Sequence, residues 1–119
     1  MKVGEIQALL DAKLLCGEDR LDADVWSACC SDMMSDVLAY VKDQGVLITG
    51  LVNPQVIRTA NMMDMVCIIF VRSKAPSEEM LELARESGIV VMASALRAYE
   101  ACGLLYHAGL GRETGDGNG

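Results

Sequence analysis

The chain has 119 residues, a formal net charge of −7 at pH 7, 52% hydrophobic residues and 4% aromatic ones. That length fits one domain with a core of its own, and strong apolar patterning with 23% charged residues excludes a wholly disordered chain. The acidic balance argues against nonspecific binding to DNA or RNA, and the longest apolar run, Met65–Val71, is far short of the roughly 20 residues a bilayer span needs.

Met1–Lys13 contains no apolar stretch of signal-peptide length, so the expectation is a soluble, cytoplasmic protein. Val3 to Leu10 reads as a short amphipathic helix with Val3, Ile6 and Leu10 on one stripe. Lys13–Cys16 reads as a short strand ended by Gly17, and an acidic connector runs from Glu18 to Asp24. Val25–Cys30 has strand length and a β-branched start. Ser31 is placed to cap the next helix with Asp32 in its first turn; Met34, Val37, Leu38 and Val41 form its buried stripe, and Gly45 closes it.

The same grammar repeats. Val46–Leu51 is a buried-strand run, followed by Asn53 as a helix cap and Pro54 at the first helical position. Val56, Ile57, Ala60 and Met63 supply that helix's core face. Met65–Val71 is continuously apolar, as a strand covered on both faces must be. Pro76-Ser77-Glu78-Glu79 opens another helix, stopped by Gly88. Ile89–Met92 is a further strand, and Ser94 caps a last helix from about Ala95 to Ala108. Residues 1–110 make one domain, and 111–119 read as a flexible tail without apolar anchors. Alternating strands and helices with short loops imply a layered α/β domain with a largely parallel sheet.

In open α/β sheets, ligands bind beyond the carboxyl ends of the strands, where helix N-termini converge. The loops selected by that rule supply Ser31, Asp32, Gly50, Asn53, Gln55, Arg72, Ser73, Lys74 and Ser94 as candidate ligand-binding residues. Arg72 and Lys74 set two cations near exposed N–H groups, a combination suited to a phosphate or carboxylate. Their bland alternative is a solvated pair facing Glu78 or Glu79. Signatures of catalysis are missing: there is no Walker P-loop, no dinucleotide glycine motif and no nucleophile elbow, and the one histidine, His107, falls at a helix end. No catalytic residue, cofactor or metal site is expected.

Five cysteines without a secretion signal argue against a disulfide framework. Cys16, Cys67 and Cys102 read as small buried apolar residues. Cys29 and Cys30 are adjacent on a strand, so one is expected inside and the other more exposed.

The stretches Ser31–Leu38, Thr49–Ala60, Ala75–Glu79, Gly88–Val91 and Tyr99–Leu105 together resemble a DRTGG domain across nearly all of residues 1–110. Such domains are similar to the N-terminal domain of HPr kinase/phosphorylase and, more remotely, to those of Mur ligases. They accompany CBS domains, phosphotransacetylases and family II pyrophosphatases. The resemblance implies a three-layer α/β/α sandwich around a mixed, largely parallel sheet, a regulatory or assembly role, and homodimers. This chain looks like a short, free-standing member, some of which sit beside iron-hydrogenase genes. The aspartate and arginine that name the family would fall near Val52-Asn53, and its Thr-Gly-Gly near Arg72-Ser73-Lys74; neither is present. A ligand held by those residues elsewhere is therefore held differently here, or is a different ligand. Without a P-loop, kinase activity is not expected.

The leading expectation is a non-catalytic regulatory or interaction module, working as a homodimer, that binds a small anion such as an adenine nucleotide in the strand-end cleft. The alternatives are an adaptor for a redox or iron–sulfur assembly using Cys29 or Cys30, and an unrecorded small-molecule enzyme. A protein partner is compatible with the first two; nucleic acid and membrane are not expected partners.

Overall fold

The computed structural model describes residues 1–40 and 44–111. Val41 and residues 112–119, which carry part of one helical stripe and most of the expected tail, lie outside the described residues. The elements in order are α1 (Val3–Leu10), β1 (Lys13–Cys16), a 3₁₀ turn at Glu18–Arg20, β2 (Ser27–Cys30), α2 (Met34–Tyr40), β3 (Gly45–Thr49), α3 (Pro54–Met62), β4 (Cys67–Phe70), α4 (Glu78–Ser87), β5 (Val90–Ala93) and α5 (Ala98–His107).

The five strands form one sheet in the order β1-β5-β4-β3-β2. Strands β2 to β5 are parallel, each paired with its predecessor, and β1 adds an antiparallel edge beside β5. The sheet is therefore mixed and largely parallel, as expected. Its two faces follow the two-residue period of a strand. Val46, Ile48, Cys67, Ile69, Val90 and Met92 pack with Val3, Ile6 and Leu10 of α1 and Ala101 and Leu105 of α5. Leu47, Ile68, Phe70 and Val91 pack on the opposite face with Val37, Val56, Ile57, Ala60, Met80 and Ala84 from α2, α3 and α4. Helices on both faces make the three-layer α/β/α sandwich. All five residues of β3 and all four of β4 are buried, which is why those segments read as unbroken apolar runs.

The helix ends follow local chemistry. Asn53 caps α3 by accepting a hydrogen bond from the Gln55 N–H at 2.8 Å, and Pro54 takes the first turn. Ser77 caps α4 by accepting from the Met80 N–H at 3.2 Å, and Gly88 leaves it with φ +73°.

Several local expectations are corrected. Helix α2 begins at Met34, so Ser31 and Asp32 precede it: the Ser31 hydroxyl accepts from the Met33 N–H at 3.0 Å and donates to the Met33 carbonyl at 3.1 Å, folding a turn. Leu38 is exposed; within the described residues of the expected stripe only Val37 is buried and Met34 is half-buried. Gly45 is the first residue of β3, not a helix terminator. Helix α5 starts at Ala98, and Ser94 is not its cap: the buried Ser94 hydroxyl donates to the Leu10 carbonyl at 3.1 Å and accepts from the Leu96 N–H at 3.2 Å. Cys102 is half-buried rather than buried. No described helix is long and apolar enough to cross a membrane.

Candidate functional site

Beyond the carboxyl ends of β2, β3 and β4, the chain turns three times within a small volume. The first turn carries Asp32. Its Oδ1 accepts two hydrogen bonds, from the Thr49 hydroxyl and from the Gly50 N–H, both at 2.9 Å. Thr49 Oγ1 in turn accepts from the Leu51 N–H at 3.1 Å, so its one proton is committed to Asp32. The end of β3 is thereby tied to the loop after β2. These donors hold the Asp32 carboxyl below the usual carboxylate range, the Gly50 N–H first and the Thr49 hydroxyl next, with Arg72 and Lys74 adding smaller contributions against a desolvation penalty.

The second turn carries Gly50, whose missing side chain matters. A Cβ there would stand 2.7 Å from Arg72 Nη2 and 3.8 Å from Asp32 Oδ2. Arg72 thus lies over the glycine, its guanidinium close to the Asp32 carboxylate. Glu78, one of the two carboxylates named as an alternative partner, pairs with Arg85 at 3.1 Å.

The third turn is strained. Arg72 and Ser73 take φ values of 58° and 55°, the left-handed region that side chains disfavour. Two backbone hydrogen bonds of 2.8 Å hold them there, from Arg72 N–H to the Leu96 carbonyl and from Ser73 N–H to the Ser94 carbonyl. The strain aims Arg72 back across the strand ends.

Between these turns and the start of α5 lies a cavity of about 400 Å³, lined by Cys30, Asp32, Thr49, Gly50, Val71, Arg72, Arg97, Ala98 and Tyr99. Arg97 caps α5: its N–H donates to Glu100 Oε1 at 2.9 Å, and its guanidinium lies 3.8 Å from the same oxygen. The cavity therefore presents two guanidinium groups, one lying over Gly50 and one beside the Glu100 carboxylate. Asp32 Oδ2 takes no part in the two bonds made by Oδ1 and remains as an acceptor for a hydroxyl or amino group.

A second depression, about 890 Å³ and mostly apolar, runs along α5. Its lining includes Ala28 and Cys30 of β2, Ile48 of β3, and Tyr99, Cys102 and Tyr106 of α5. Cys30 and Tyr99 line both spaces, so the polar cavity and the apolar groove adjoin.

Of the residues singled out from the sequence, the cavity brings together Asp32, Gly50 and Arg72. Lys74 is near enough to bias Asp32 but does not line the cavity. Ser31, Asn53, Gln55, Ser73 and Ser94 lie outside its lining and serve turns, caps and packing. Thr49, Arg97 and Tyr99 were not among the sequence candidates. Thr49 carries a readable signal, a hydroxyl closing an apolar strand; Arg97 and Tyr99 fall inside the helix predicted from about Ala95, whereas the helix starts at Ala98 and sets both at its N-terminus.

Cys29 and Cys30 diverge as adjacent strand residues must. Cys29 pairs in register with Leu47 and packs toward the α2–α3 face, whereas Cys30 pairs with Ile48 and faces α5. The two thiols therefore do not form one chelating pair. Among the described residues no group of three or more His, Cys, Asp or Glu side chains is arranged to hold a metal.

Comparison with known proteins places this geometry in a family. The profile of the DRTGG domain matches residues 5–108. No curated protein matches. Among solved structures, the CBS and DRTGG domains of the regulatory region of Clostridium perfringens pyrophosphatase, in complex with the activator diadenosine tetraphosphate, superimpose with a TM-score of 0.75 at 17% identity. The match covers 93% of this chain and 48% of that one, so this chain spans about half of its length. At that identity the likeness concerns the fold. With the profile matching most of the 119 residues, the chain belongs to the DRTGG domain family.

Proposed function

We propose that this chain is a non-catalytic regulatory module that binds an adenine nucleotide. The observation that carries the reading is the junction of a cation-bearing strand-end cavity with an apolar groove, the two sharing Cys30 and Tyr99. Phosphates meet Arg72 and Arg97; the base lies in the groove against Tyr99; Asp32 Oδ2 accepts from a ribose hydroxyl. Guanidinium forks suit phosphate oxygens, and an exposed tyrosine ring suits a base. Phosphate binding draws Arg72 from its place over Gly50, so the ligand's charge is read as a difference in the loop that carries Arg72. The pyrophosphatase regulatory region supports the ligand class, since its activator is a dinucleoside polyphosphate. That region holds CBS as well as DRTGG domains, so it supports the class and not the position.

The test is thermal unfolding and calorimetric titration with AMP, ATP and diadenosine tetraphosphate. Ligand at a hundred times its Kd stabilises by about 2.7 kcal/mol. Arg72→Ala is expected to remove most of that shift and Asn53→Ala to leave the affinity unchanged. No stabilisation by any of the three at millimolar concentration sinks the reading.

The module is further proposed to act as a homodimer. Outside the groove, Trp26, Met33, Leu38 and Met62 are large apolar or aromatic side chains left exposed on a small domain. Covering about 800 Å² per partner is enough for a specific interface. Sedimentation that shows only monomer at high micromolar concentration removes this part of the reading.

A further inference from the structure

The groove along α5 contains a feature that nucleotide binding does not use. Register with Ile48 turns Cys30 to the α5 side of the sheet. On α5, Ala101 and Leu105 are buried, and Cys102, beside them on the helix, is half-buried against the same core. Both thiols are free and both line the groove. The Cys102 thiol is an immediate neighbour of the Cys30 thiol and bears on its ionisation. The remaining cysteines are placed otherwise: Cys16 and Cys67 are buried, and Cys29 lies on the far side of the sheet.

We propose that Cys30 and Cys102 are a thiol–disulfide pair, closed into an intramolecular bridge by a low-molecular-weight disulfide such as oxidised glutathione. The chemistry balances in two exchanges. Cys102, as thiolate, attacks one sulfur of the oxidant; a mixed disulfide forms and one glutathione leaves as thiolate, taking up the proton Cys102 gave to solvent. Cys30 then attacks the Cys102 sulfur of the mixed disulfide, forming the Cys30–Cys102 bond and releasing the second glutathione, which takes up the Cys30 proton. Two protein thiols are oxidised and one glutathione disulfide is reduced to two thiols.

The order of attack follows from the environment. Desolvation, then the neighbouring Cys102 thiol, push the Cys30 thiol up, which disfavours Cys30 as the first thiolate. As the second attacker it needs no encounter with a partner, because the sulfur it must reach is already beside it. The bridge ties the end of β2 to α5 across the groove and rebuilds the point where groove and cavity meet, since Cys30 lines both. The proposal is independent of the nucleotide reading: the dithiol stands whether or not the groove takes a base.

The experiment is oxidation of the full chain by oxidised glutathione, followed by thiol titration and peptide mapping without reduction. The expected result is loss of two of the five thiols and a peptide linked through Cys30 and Cys102, in the monomer fraction. Cys29→Ser is expected to keep the bridge. Cys30→Ser and Cys102→Ser are each expected to lose it, with glutathione persisting on Cys102 when Cys30 is replaced. A Cys29–Cys30 link, a disulfide found only between chains, or a stable glutathione adduct at Cys102 of the unaltered protein overturns the proposal. Mapping of the unaltered protein decides the matter alone should either variant fold poorly.

Discussion

Replacing Asp32 by alanine tests whether the strand ends are tied together as described. Asp32 Oδ1 receives the Thr49 hydroxyl and the Gly50 N–H, each at 2.9 Å. Thr49 is 1% exposed, so its hydroxyl has little water to turn to once the carboxylate is gone. Asp32 itself is exposed, which reduces the gain from its charge. One orphaned donor at the buried end costs about 1–3 kcal/mol, and the exposed Gly50 N–H adds little because water replaces its partner. A loss of about 2 kcal/mol lowers Tm by roughly 6–12 °C in a domain of this size. The assay is a double-mutant cycle by chemical denaturation with Thr49→Val. If the hydroxyl–carboxylate bond is the main term, Asp32→Ala costs about 1 kcal/mol less in the Thr49→Val background than in the unaltered protein. Strict additivity, or an Asp32→Ala protein as stable as the parent, refutes the reasoning.

The same carboxylate gives a pH signature. Its folded value lies below the unfolded value of about 3.9, so its stabilisation is present above that pH and is lost as pH falls through the lower folded value; Asp32→Asn is expected to flatten the acid limb of a stability–pH curve, and an unchanged limb contradicts it. Gly17 has φ +97°, and a Cβ there would stand 2.8 Å from Val90 Cγ2 and 2.9 Å from its Cα, so Gly17→Ala costs about 1–3 kcal/mol by denaturant titration. Ser73→Gly is expected to raise stability by about 0.5–1 kcal/mol because it relieves the left-handed backbone at φ 55°, and a lower Tm counts against strain at that turn.

What could be read in the chain depended on how locally each feature is determined. Helix α1 and strand β1 have the limits their periodicity gave, and the Ser77 and Gly88 ends of α4 follow from chemistry within three or four residues. The Asp32–Thr49 contact was not legible, because it joins residues 17 apart and depends on β2 pairing with β3 in a particular register. The sequence predicts helix α5 from about Ala95 because Ser94 has a cap's chemistry, yet its hydroxyl serves the Leu10 carbonyl, a contact between residues 84 apart. Leu38 fitted a helical stripe but faces solvent, since a stripe wide enough to include it exceeds what α2 buries. Arg72 is legible as a cation at a strand end; that Gly50 leaves room for its guanidinium depends on two loops more than 20 residues apart in the chain meeting in space.

The topology explains why the groove exists, and one pair of substitutions tests that explanation. Strands β2, β3, β4 and β5 follow one another across the sheet, and crossovers of one hand in one direction put α2, α3 and α4 on a single face. Only α1 and α5 remain for the other face, where α5 packs against β3 and against α1. The α5-side residues of β2, Ala28 and Cys30, are consequently exposed, although their in-register neighbours Val46 and Ile48 are buried. Ala28 and Val46 are thus adjacent on one face of one sheet and differ in whether a helix covers them. Val46→Asp places an unpaired carboxylate where the residue is 0% exposed, and it is expected to cost more than about 4 kcal/mol and prevent folding. Ala28→Asp points into the open groove and should change stability by no more than about 0.5 kcal/mol. It should also weaken nucleotide binding, through loss of the apolar floor beneath the base. Comparable destabilisation by the two substitutions would mean that β2 is covered in solution, and the groove would then be an interior surface rather than a ligand site.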